Sequence, residues 1–349
     1  MQQQRHSVPF GRGTLNTLAQ SGSTPSQLPA VIIQGQGSEL TTEKVLKGRA
    51  KRKIIAQRLA LALVDIAKGK DDAEMEKAFW NTYHCQSHII SHENRMYGKY
   101  CKNRHCPLCC SIRKATLINQ YLPIISTWET PHFVTLTVKA CKSQSLPKRL
   151  KDMIRGFKII TTKYRKTIGA KTLIGIRALE CCFNPVKRTY NPHFHVLVPD
   201  KATAETLIRE WLTLCTPKFA VRAAQDMQPI RNLERGLIEV IKYGAKIFTE
   251  PDLDKKLQSN ADPTIYAAAL YNIYDGMKGL RLFDRFGFNL PKTVTTPTPA
   301  RIITDYTEWF FAPQYHDWLQ SDSEQSLSNY TLPAELEDLL KNHIDKETE

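Results

Sequence analysis

Two histidines within residues 190–199 have the spacing of a metal-binding pair. Side chains in a β-strand alternate between its two faces, so His193 and His195 share one face while Phe194 and Val196 share the other. Two imidazoles placed in this way can bind one divalent cation together. A pair of core or surface histidines that binds nothing is the alternative interpretation of this spacing alone.

Glu180 is the candidate third ligand. It ends a predicted strand over residues 173–180, and a loop over residues 183–192 leads into the histidine strand. If the two strands pair as an antiparallel hairpin, Glu180 falls opposite His193 and His195, since cross-strand neighbours lie about 5 Å apart. One carboxylate oxygen and two imidazole nitrogens suit Mg²⁺, Mn²⁺ or another divalent ion. A register shifted by one residue would turn Glu180 to the other face.

Four cysteines can form a second metal site, of a different kind. Cys106 and Cys109 have the Cys-x-x-Cys spacing that lets two thiolates reach one tetrahedral Zn²⁺, and Cys85 and Cys101 complete a four-sulfur set. The candidate substitutes among these ligands are His84, His105 and Cys110. A redox-active thiol pair and free thiols are the alternatives, although no predicted strand leads into the pair.

A predicted helix over residues 233–248 carries a candidate nucleophile. Glu239 and Tyr243 lie one helical turn apart, and Lys242 and Lys246 repeat that spacing beside them. Lysines favour a phenolate and neutralise a phosphate, while a carboxylate can orient a proton or a water molecule. The group therefore suits attack on a phosphodiester. An ordinary amphipathic helix is the alternative interpretation.

Hydrophobic periodicity predicts the elements that must position these residues. Helices are expected at residues 42–68, 111–127, 147–167, 201–214 and 233–248, with another inside 262–290. Strands are expected at residues 131–138, 173–180, 193–198 and 220–230. Tyr271 and Tyr274 on the last helix are alternative nucleophiles, for which a core or stacking role is the simpler interpretation.

The first predicted helix is strongly basic in its first half. Lys51 and Arg52 belong to this run and are candidate contacts to a DNA backbone, with a merely solvated face as the alternative. The whole chain of 349 residues has a net charge of +15 and a pI near 9.4, which is typical of proteins that bind nucleic acid.

Composition also bears on the cellular location. No apolar run reaches membrane-spanning length, and the N-terminus lacks the apolar region of a secretion signal, so we expect a cytoplasmic protein without membrane partners. Nine cysteines, an odd number, argue against a disulfide framework and for a metal cluster with additional thiols.

Taken in order, these motifs resemble those of the replication initiators of small rolling-circle plasmids, which belong to the HUH endonucleases. The resemblance rests on Phe-Val-Thr-Leu-Thr at 133–137, Asn-Pro-His-Phe-His-Val-Leu at 191–197 and Glu-Val-Ile-Lys-Tyr at 239–243, after a cysteine block at 101–109. It implies an α+β fold in which helices flank a central antiparallel sheet, with a preceding zinc-binding cysteine segment.

The resemblance also implies roles for individual residues. His193 and His195 would bind the catalytic Mg²⁺ or Mn²⁺ with Glu180, Tyr243 would be the nucleophile, and Glu239 would activate the water that ends the cycle. The implied activity is nicking of plasmid origin DNA, single-stranded or in a hairpin, which leaves a 5′-phosphotyrosine and a 3′-hydroxyl primer. Host helicase and DNA polymerase are the implied partners in a bacterial or archaeal cell, and a homodimer is left open.

The expected organisation has four parts. Residues 1–42 are expected to be a disordered extension, 43–128 a basic helix with the zinc segment, 129–290 the HUH endonuclease domain, and 291–349 a linker with an acidic tail. Two other functions stay open: a related mobilisation relaxase or transposase, and a zinc-containing DNA-binding regulator without catalysis.

Overall fold

The computed structural model describes residues 14–17, 30–34, 37–39, 42–169, 171–241, 263–291 and 299–334. In chain order, the strands and helices of these residues are β1 (Thr14–Thr17), β2 (Val31–Gln34), β3 (Ser38–Glu39), α1 (Glu43–Lys68), α2 (Ala73–Tyr83), β4 (His88–His92), β5 (Arg95–Gly98), α3 (Pro107–Ile125), β6 (His132–Thr137), α4 (Leu146–Lys166), β7 (Gly175–Asn184), β8 (Thr189–Val198), α5 (Lys201–Phe219), β9 (Asp226–Pro229), α6 (Leu233–Ile241), α7 (Pro263–Gly276), β10 (Phe283–Phe286), β11 (Arg301–Ile303), β12 (Thr307–Ala312) and β13 (Asp317–Gln320). None of the described helices is both long enough and apolar enough to cross a membrane.

The chain divides into two compact units. The first comprises the described residues of Met1–Arg113 and Lys292–Glu349, and the second those of Lys114–Pro291. In both units the strands pair antiparallel and helices pack on the sheets. The predicted α+β class, with an antiparallel sheet flanked by helices, is confirmed.

The first unit contains two sheets and the helix pair α1–α2. Strands β1, β2 and β11 form one sheet, and β13, β12, β4, β5 and β3 form the other in that order. Trp318 and Ile89 are fully buried and pack with Ala50 of α1, so one face of the larger sheet is covered by that helix.

Part of the expected linker and acidic tail is instead built into this sheet structure. Residues 301–320 contribute β11, β12 and β13, and β12 pairs with β4 so that Trp309 lies opposite Ile89. In the expected disordered extension, Val31–Gln34 is a strand whose Val31 and Ile33 are buried. Short apolar runs flanked by polar residues hid these strands, because β11 pairs with β2 and β12 with β4, more than 200 residues away in sequence.

The second unit is one antiparallel sheet, in the order β10-β7-β8-β6-β9, with helices on both faces. On one face, Phe194 of β8 packs against Phe157 of α4 and Trp211 of α5, with ring centroids 5.2 and 5.7 Å apart. We call this the α4 face. On the other face, Leu237 and Val240 of α6 pack in one core cluster with Tyr121, Ile125, Ala178 and Leu197.

The sequence explains why these helices lie flat on the sheet. Leu146, Leu150, Met153, Phe157 and Ile160 follow helical spacing along α4, and all five are buried. The edge strand β10 ends at Gly287, whose φ is +77° and whose Cβ would lie 2.1 Å from the Leu173 carbonyl oxygen, so only glycine fits there. The strand expected at 220–230 is shorter, because a 3₁₀ turn occupies Arg222–Ala224 and β9 begins at Asp226.

Candidate functional site

The β7–β8 hairpin brings Glu180, His193 and His195 together on the sheet face opposite α4. In its register, Glu180 lies directly opposite His193, and Ala178 opposite His195. The Glu180 Oε2 atom lies 3.8 Å from His193 Nε2 and 3.5 Å from His195 Nε2, and the two Nε2 atoms are 3.1 Å apart. The side chains of Glu180, His193 and His195 are only 5, 8 and 12% exposed. We refer to these three residues as the trio.

The trio fits a divalent cation by the spacing of its donor atoms. Ligands about 2.1 Å from one ion are about 3.0 Å apart at right angles and about 3.4 Å apart in a tetrahedron. Two of the three separations, 3.1 and 3.5 Å, lie close to these values, and the third, 3.8 Å, is somewhat longer. The burial of the carboxylate beside two imidazoles also favours a bound cation, because a buried anion requires a compensating charge.

Hydrogen bonds at the Nδ1 atoms of the two imidazoles orient their Nε2 atoms towards the position of a bound cation. His193 Nδ1 lies 3.0 Å from the Asn191 carbonyl oxygen, which can only accept a proton, so Nδ1 donates and Nε2 keeps its lone pair. His195 Nδ1 lies 3.5 Å from the Thr135 hydroxyl of the neighbouring strand β6. The Phe133 ring packs 5.0 Å from the His195 ring and limits its rotation.

Helix α6 lies on the same sheet face as the trio. Its Leu237 and Val240 pack against Ala178 and Leu197, whose register positions share the trio's face. Glu239 belongs to this helix. The candidate nucleophile Tyr243 and the lysines Lys242 and Lys246 lie outside the described residues, starting one residue after the end of α6.

The two alternative nucleophiles are poorly placed. Tyr271 and Tyr274 of α7 are 3 and 6% exposed. Asn272 of the same helix donates a hydrogen bond to the Tyr190 hydroxyl at 2.9 Å, and Tyr190 shares the Phe194 side of β8. Helix α7 therefore packs on the α4 face, away from the trio, and these tyrosines are part of the core.

In the first unit, Cys85, Cys101, Cys106 and Cys109 form a second group that could hold a metal, which we call the cysteine cluster. The Cys109 sulfur lies 3.7 Å from that of Cys85 and 3.6 Å from that of Cys101. Four sulfurs about 2.3 Å from a tetrahedral Zn²⁺ are about 3.8 Å apart, so the spacing fits zinc. It is far longer than a disulfide bond, and all four cysteines are free thiols.

The four thiols of the cluster share their protons unevenly. Hydrogen bonds from Cys101, Cys106 and Cys85 lower the pKa of Cys109 well below its usual range, whereas hydrogen bonds within the cluster, with burial, raise the pKa of Cys85 and of Cys106. A thiolate is the form that binds metal. The cluster also contains a sulfur that receives a hydrogen bond from the main chain, since the Cys101 N–H donates to Cys85 Sγ at 3.5 Å.

The three candidate substitutes stand outside the cluster. The Cys110 thiol donates to the Arg104 carbonyl oxygen at 2.9 Å. Burial, reinforced by Arg104 and Arg113, lowers the pKa of His105 to about 4, and its ring packs 6.1 Å from Phe79. The His84 ring stacks on Trp80 with centroids 6.1 Å apart.

Lys53, in the basic run of α1, is a structurally important residue that was not predicted from the sequence. It is 0% exposed, and its ammonium group donates to the carbonyl oxygens of Tyr83 and Cys85 and to the Ser87 hydroxyl at 2.7 to 2.9 Å. Its spacing is the signal that could have found it, because Ala50, Lys53, Ile54 and Gln57 follow one buried helical stripe.

The predicted DNA contacts of α1 are partly turned inward. Lys51 is half-exposed, whereas burial, and then the charge of Arg49, lower the pKa of Arg52. The Nε atom of Arg52 is buried. The role of both residues in DNA binding stays a prediction.

Comparison with known proteins gives consistent results. Residues 93–293 match the sequence model of the family described as Replication protein. The chain is 33% identical over 160 residues to Protein rep of a Bacillus species, which covers 43% of this chain and 48% of that protein. It is 35% identical over 145 residues to Protein rep of Bacillus amyloliquefaciens (39% of this chain, 41% of that protein). It is 31% identical over 160 residues to Protein rep of Staphylococcus aureus (42% of this chain, 69% of that protein).

The matched part of the chain therefore spans about half the length of the first two of these relatives. Residues 93–293, which match the family model, contain the trio and three of the four clustered cysteines. No solved structure matches the chain.

Proposed function

Since the chain belongs to the Replication protein family, we propose that it is a plasmid replication initiator that nicks one strand of its origin and starts rolling-circle replication. The main support is the trio, a buried set of two imidazoles and one carboxylate on the sheet face on which α6 packs. That helix leads directly towards Tyr243 in sequence.

Glu180, His193 and His195 would hold Mg²⁺ or Mn²⁺, which when bound polarises a scissile phosphate and stabilises charge on its oxygens. The chain's own contribution is to fix the donor atoms before DNA arrives. Asn191 holds the His193 tautomer, and the paired strands hold the three side chains on one face. Little reorganisation is then needed when the substrate binds.

Tyr243 is the proposed nucleophile. Its phenolate oxygen attacks the phosphorus in line, the bond from phosphorus to the 3′ oxygen breaks, and that oxygen takes a proton to become a free 3′-hydroxyl. The product is a 5′-phosphotyrosine ester, so the energy of the phosphodiester is kept and rejoining needs no ATP. Lys242 and Lys246 would favour the phenolate and neutralise the phosphate.

Glu239 is proposed to end the cycle. A carboxylate one turn before the tyrosine can accept a proton from a water molecule, which then cleaves the regenerated site. One tyrosine would then suffice for a full round. Glu239→Ala should still nick, yet it should fail to release monomeric circles; normal release would contradict this role.

The cysteine cluster is proposed to hold a structural Zn²⁺. Four sulfur ligands fill a tetrahedral shell and leave no position for substrate, so the ion would stabilise the first unit rather than act on DNA.

We further propose that α1 contacts origin DNA through Lys51 and Arg52, and that host helicase and DNA polymerase act on the nicked product. A homodimer is the candidate oligomeric state of the proposed initiator.

The decisive experiment incubates purified protein with a supercoiled plasmid that bears its own gene and origin, with Mg²⁺ or Mn²⁺. Nicked circles that carry covalently bound protein are the expected product. Tyr243→Phe should abolish nicking and the adduct while DNA binding persists, and Tyr271→Phe is the matched control in a buried tyrosine.

Each alternative result of this experiment would lead to a different conclusion. Nicking by Tyr243→Phe at the normal rate would overturn the assignment of the nucleophile. DNA binding that ignores chelation, with no tyrosine–DNA bond in any form of the protein, would indicate a regulator. Nicking without replication of a plasmid carrying only this gene and its origin would indicate a relaxase or a transposase.

A further inference from the structure

A second candidate binding site lies on the α4 face of the second unit's sheet. It is a groove of about 790 Å³ between the C-terminal half of α4, residues 172–173, and β10 with the residues that follow it. Arg177 and Asp284 lie opposite each other on β7 and β10, and Arg177 also pairs with Val196 on the side away from the trio. We call this site the basic groove.

The charge of the basic groove is strongly positive. Its basic residues are Lys158, Arg165, Arg177, Arg281 and Arg285, and its acidic residue is Asp284. The Asp284 carboxylate is already engaged, because Arg281 Nη1 lies 3.2 Å and Arg177 Nη2 3.7 Å from its oxygens. Lys158 and Arg165 are exposed, and no ion pair of either is found within the described part of the chain. An anion entering the groove would therefore meet cations that carboxylates do not already neutralise.

Arg177 lines the floor of the groove, where its contacts hold it in a fixed place. The Arg177 side chain is only 6% exposed, and its guanidinium lies 5.5 Å from the Phe157 ring and 5.2 Å from the Phe194 ring. It also donates to the Arg281 carbonyl oxygen at 3.3 Å. Phe286 packs edge-on against Phe157 beside it. Phe157 and Phe194 are 2 and 0% exposed, so they position the guanidinium rather than stack on bases. A guanidinium held in this way suits a phosphate group.

Basic charge continues from the groove round the edge of the sheet. Strand β10 is an edge strand, and Arg285 pairs with Ile176, a position on the trio's face, although it also lines the groove. Arg177 and Glu180 are three residues apart on β7, about 10 Å at about 3.3 Å per residue. The groove and the trio therefore lie on opposite faces of the same strand, and a DNA strand that passes round the sheet edge can contact both.

We propose that the basic groove binds the phosphodiester backbone of the DNA strand that continues from the nick site round the β10 edge. This inference rests on the proposed nicking function and adds the path of its substrate. Contacts of this kind position a strand without reading its sequence. The groove would therefore increase affinity for any sequence that flanks the nick.

The test compares two single-stranded oligonucleotides centred on the nick site, one short and one extended on both sides. Binding of each to the full-length protein is measured without divalent ions, over a range of salt concentrations. Wild type should bind the long strand more tightly. The double variant Lys158→Glu/Arg165→Glu should weaken binding of the long strand by at least about tenfold and leave the short strand within about twofold. It should also reduce the slope of log K against log salt by about 1.4, or about 0.7 for each lost phosphate contact.

The matched control is Lys151→Glu/Arg155→Glu, the same charge change at exposed positions of α4 outside the groove. An equal loss of affinity for the long strand in the control variant would mean that only the overall electrostatic field of the protein matters. That result would overturn the inference. The same conclusion follows if wild type binds both strands equally. A free deoxynucleoside triphosphate that binds wild type and not the groove variant, while affinity for the long strand is unchanged, would assign the groove to nucleotides instead of DNA.

Cleavage of the short strand in Mn²⁺ separates this inference from the proposed function. If wild type cleaves it and the groove variant still binds the long strand normally, nicking stands and the groove assignment fails. If wild type cleaves neither strand, the proposed function itself fails.

Discussion

The trio and the cysteine cluster are both buried groups of side chains that could hold a metal ion, yet they differ in how many coordination positions they would leave open. The cluster offers four sulfurs, which would complete a tetrahedron around the proposed Zn²⁺. The trio offers two nitrogens and one oxygen, so an ion there keeps positions for water or a phosphate oxygen. The number and kind of donors thus support the proposed structural role of the cluster and the proposed catalytic role of the trio.

The two sites also differ in how the chain builds them. The trio comes from one hairpin, and a single strand register sets all three donors. The cluster joins the end of α2 to the start of α3, and the buried Lys53 of α1 ties Cys85 in place through main-chain hydrogen bonds. Loss of a ligand should therefore affect stability in one unit and chemistry in the other.

The largest expected effect is on folding of the first unit. Cys109→Ala removes one of four zinc ligands, and a structural zinc contributes about 10–16 kcal/mol of apparent binding free energy, so we expect this unit to lose its fold. Zinc content and near-UV circular dichroism measure the effect. Cys182→Ala, at an exposed thiol, is the control. If both variants keep the same thermal midpoint and the wild type contains less than one zinc per chain, the cluster is a set of free thiols.

The next largest expected effect is on the rate of nicking, without a loss of stability. His195→Ala removes a donor of the trio, and we expect nicking to fall at least about 1,000-fold, or about 4 kcal/mol in the barrier, with little change in thermal midpoint. The rate of plasmid nicking at saturating Mn²⁺ is the measurement. His132→Ala, on the neighbouring strand β6 and outside the trio, is the control. Equal nicking by both variants would rule out a catalytic trio.

A smaller effect tests the link between α1 and the cysteine cluster. Lys53→Met keeps the length of the side chain but removes the donor of one buried and two part-buried hydrogen bonds, so we expect about 3 kcal/mol of destabilisation. Denaturant unfolding, followed by tryptophan fluorescence, measures it. Lys51→Met, two positions earlier and half-exposed, should change stability by less than about 0.5 kcal/mol. Similar values for the two variants would show that Lys53 has no special role.

The smallest effect concerns the orientation of one imidazole. Thr135→Val removes the hydroxyl that lies 3.5 Å from His195 Nδ1, a long contact, so we expect only a few-fold increase in the Mn²⁺ concentration needed for half-maximal nicking. The rate at saturating Mn²⁺ should stay near that of wild type. A drop of 100-fold or more at saturation would mean that Thr135 acts on the substrate directly.

Sequence alone predicted much of the trio and the cluster because their spacing reflects local geometry. Alternation along a strand places His193 and His195 on one face whatever the strand pairs with, and Cys106-x-x-Cys109 brings two sulfurs together within one turn of chain. The helix periodicity of α4 gave that element nearly correct bounds for the same reason, whereas β8 begins at Thr189, inside the expected loop over residues 183–192.

Tertiary structure decided what depends on distant partners. The side to which Glu180 turns was fixed by the hairpin register, which a shift of one residue would have reversed. The burial of Lys53, the incorporation of β12 beside β4 and the placement of Arg177 among aromatic rings were likewise set by residues far away in sequence. Short-range periodicity is encoded by neighbouring residues, whereas register and burial follow from the sum of many long-range contacts, which no short stretch of sequence contains.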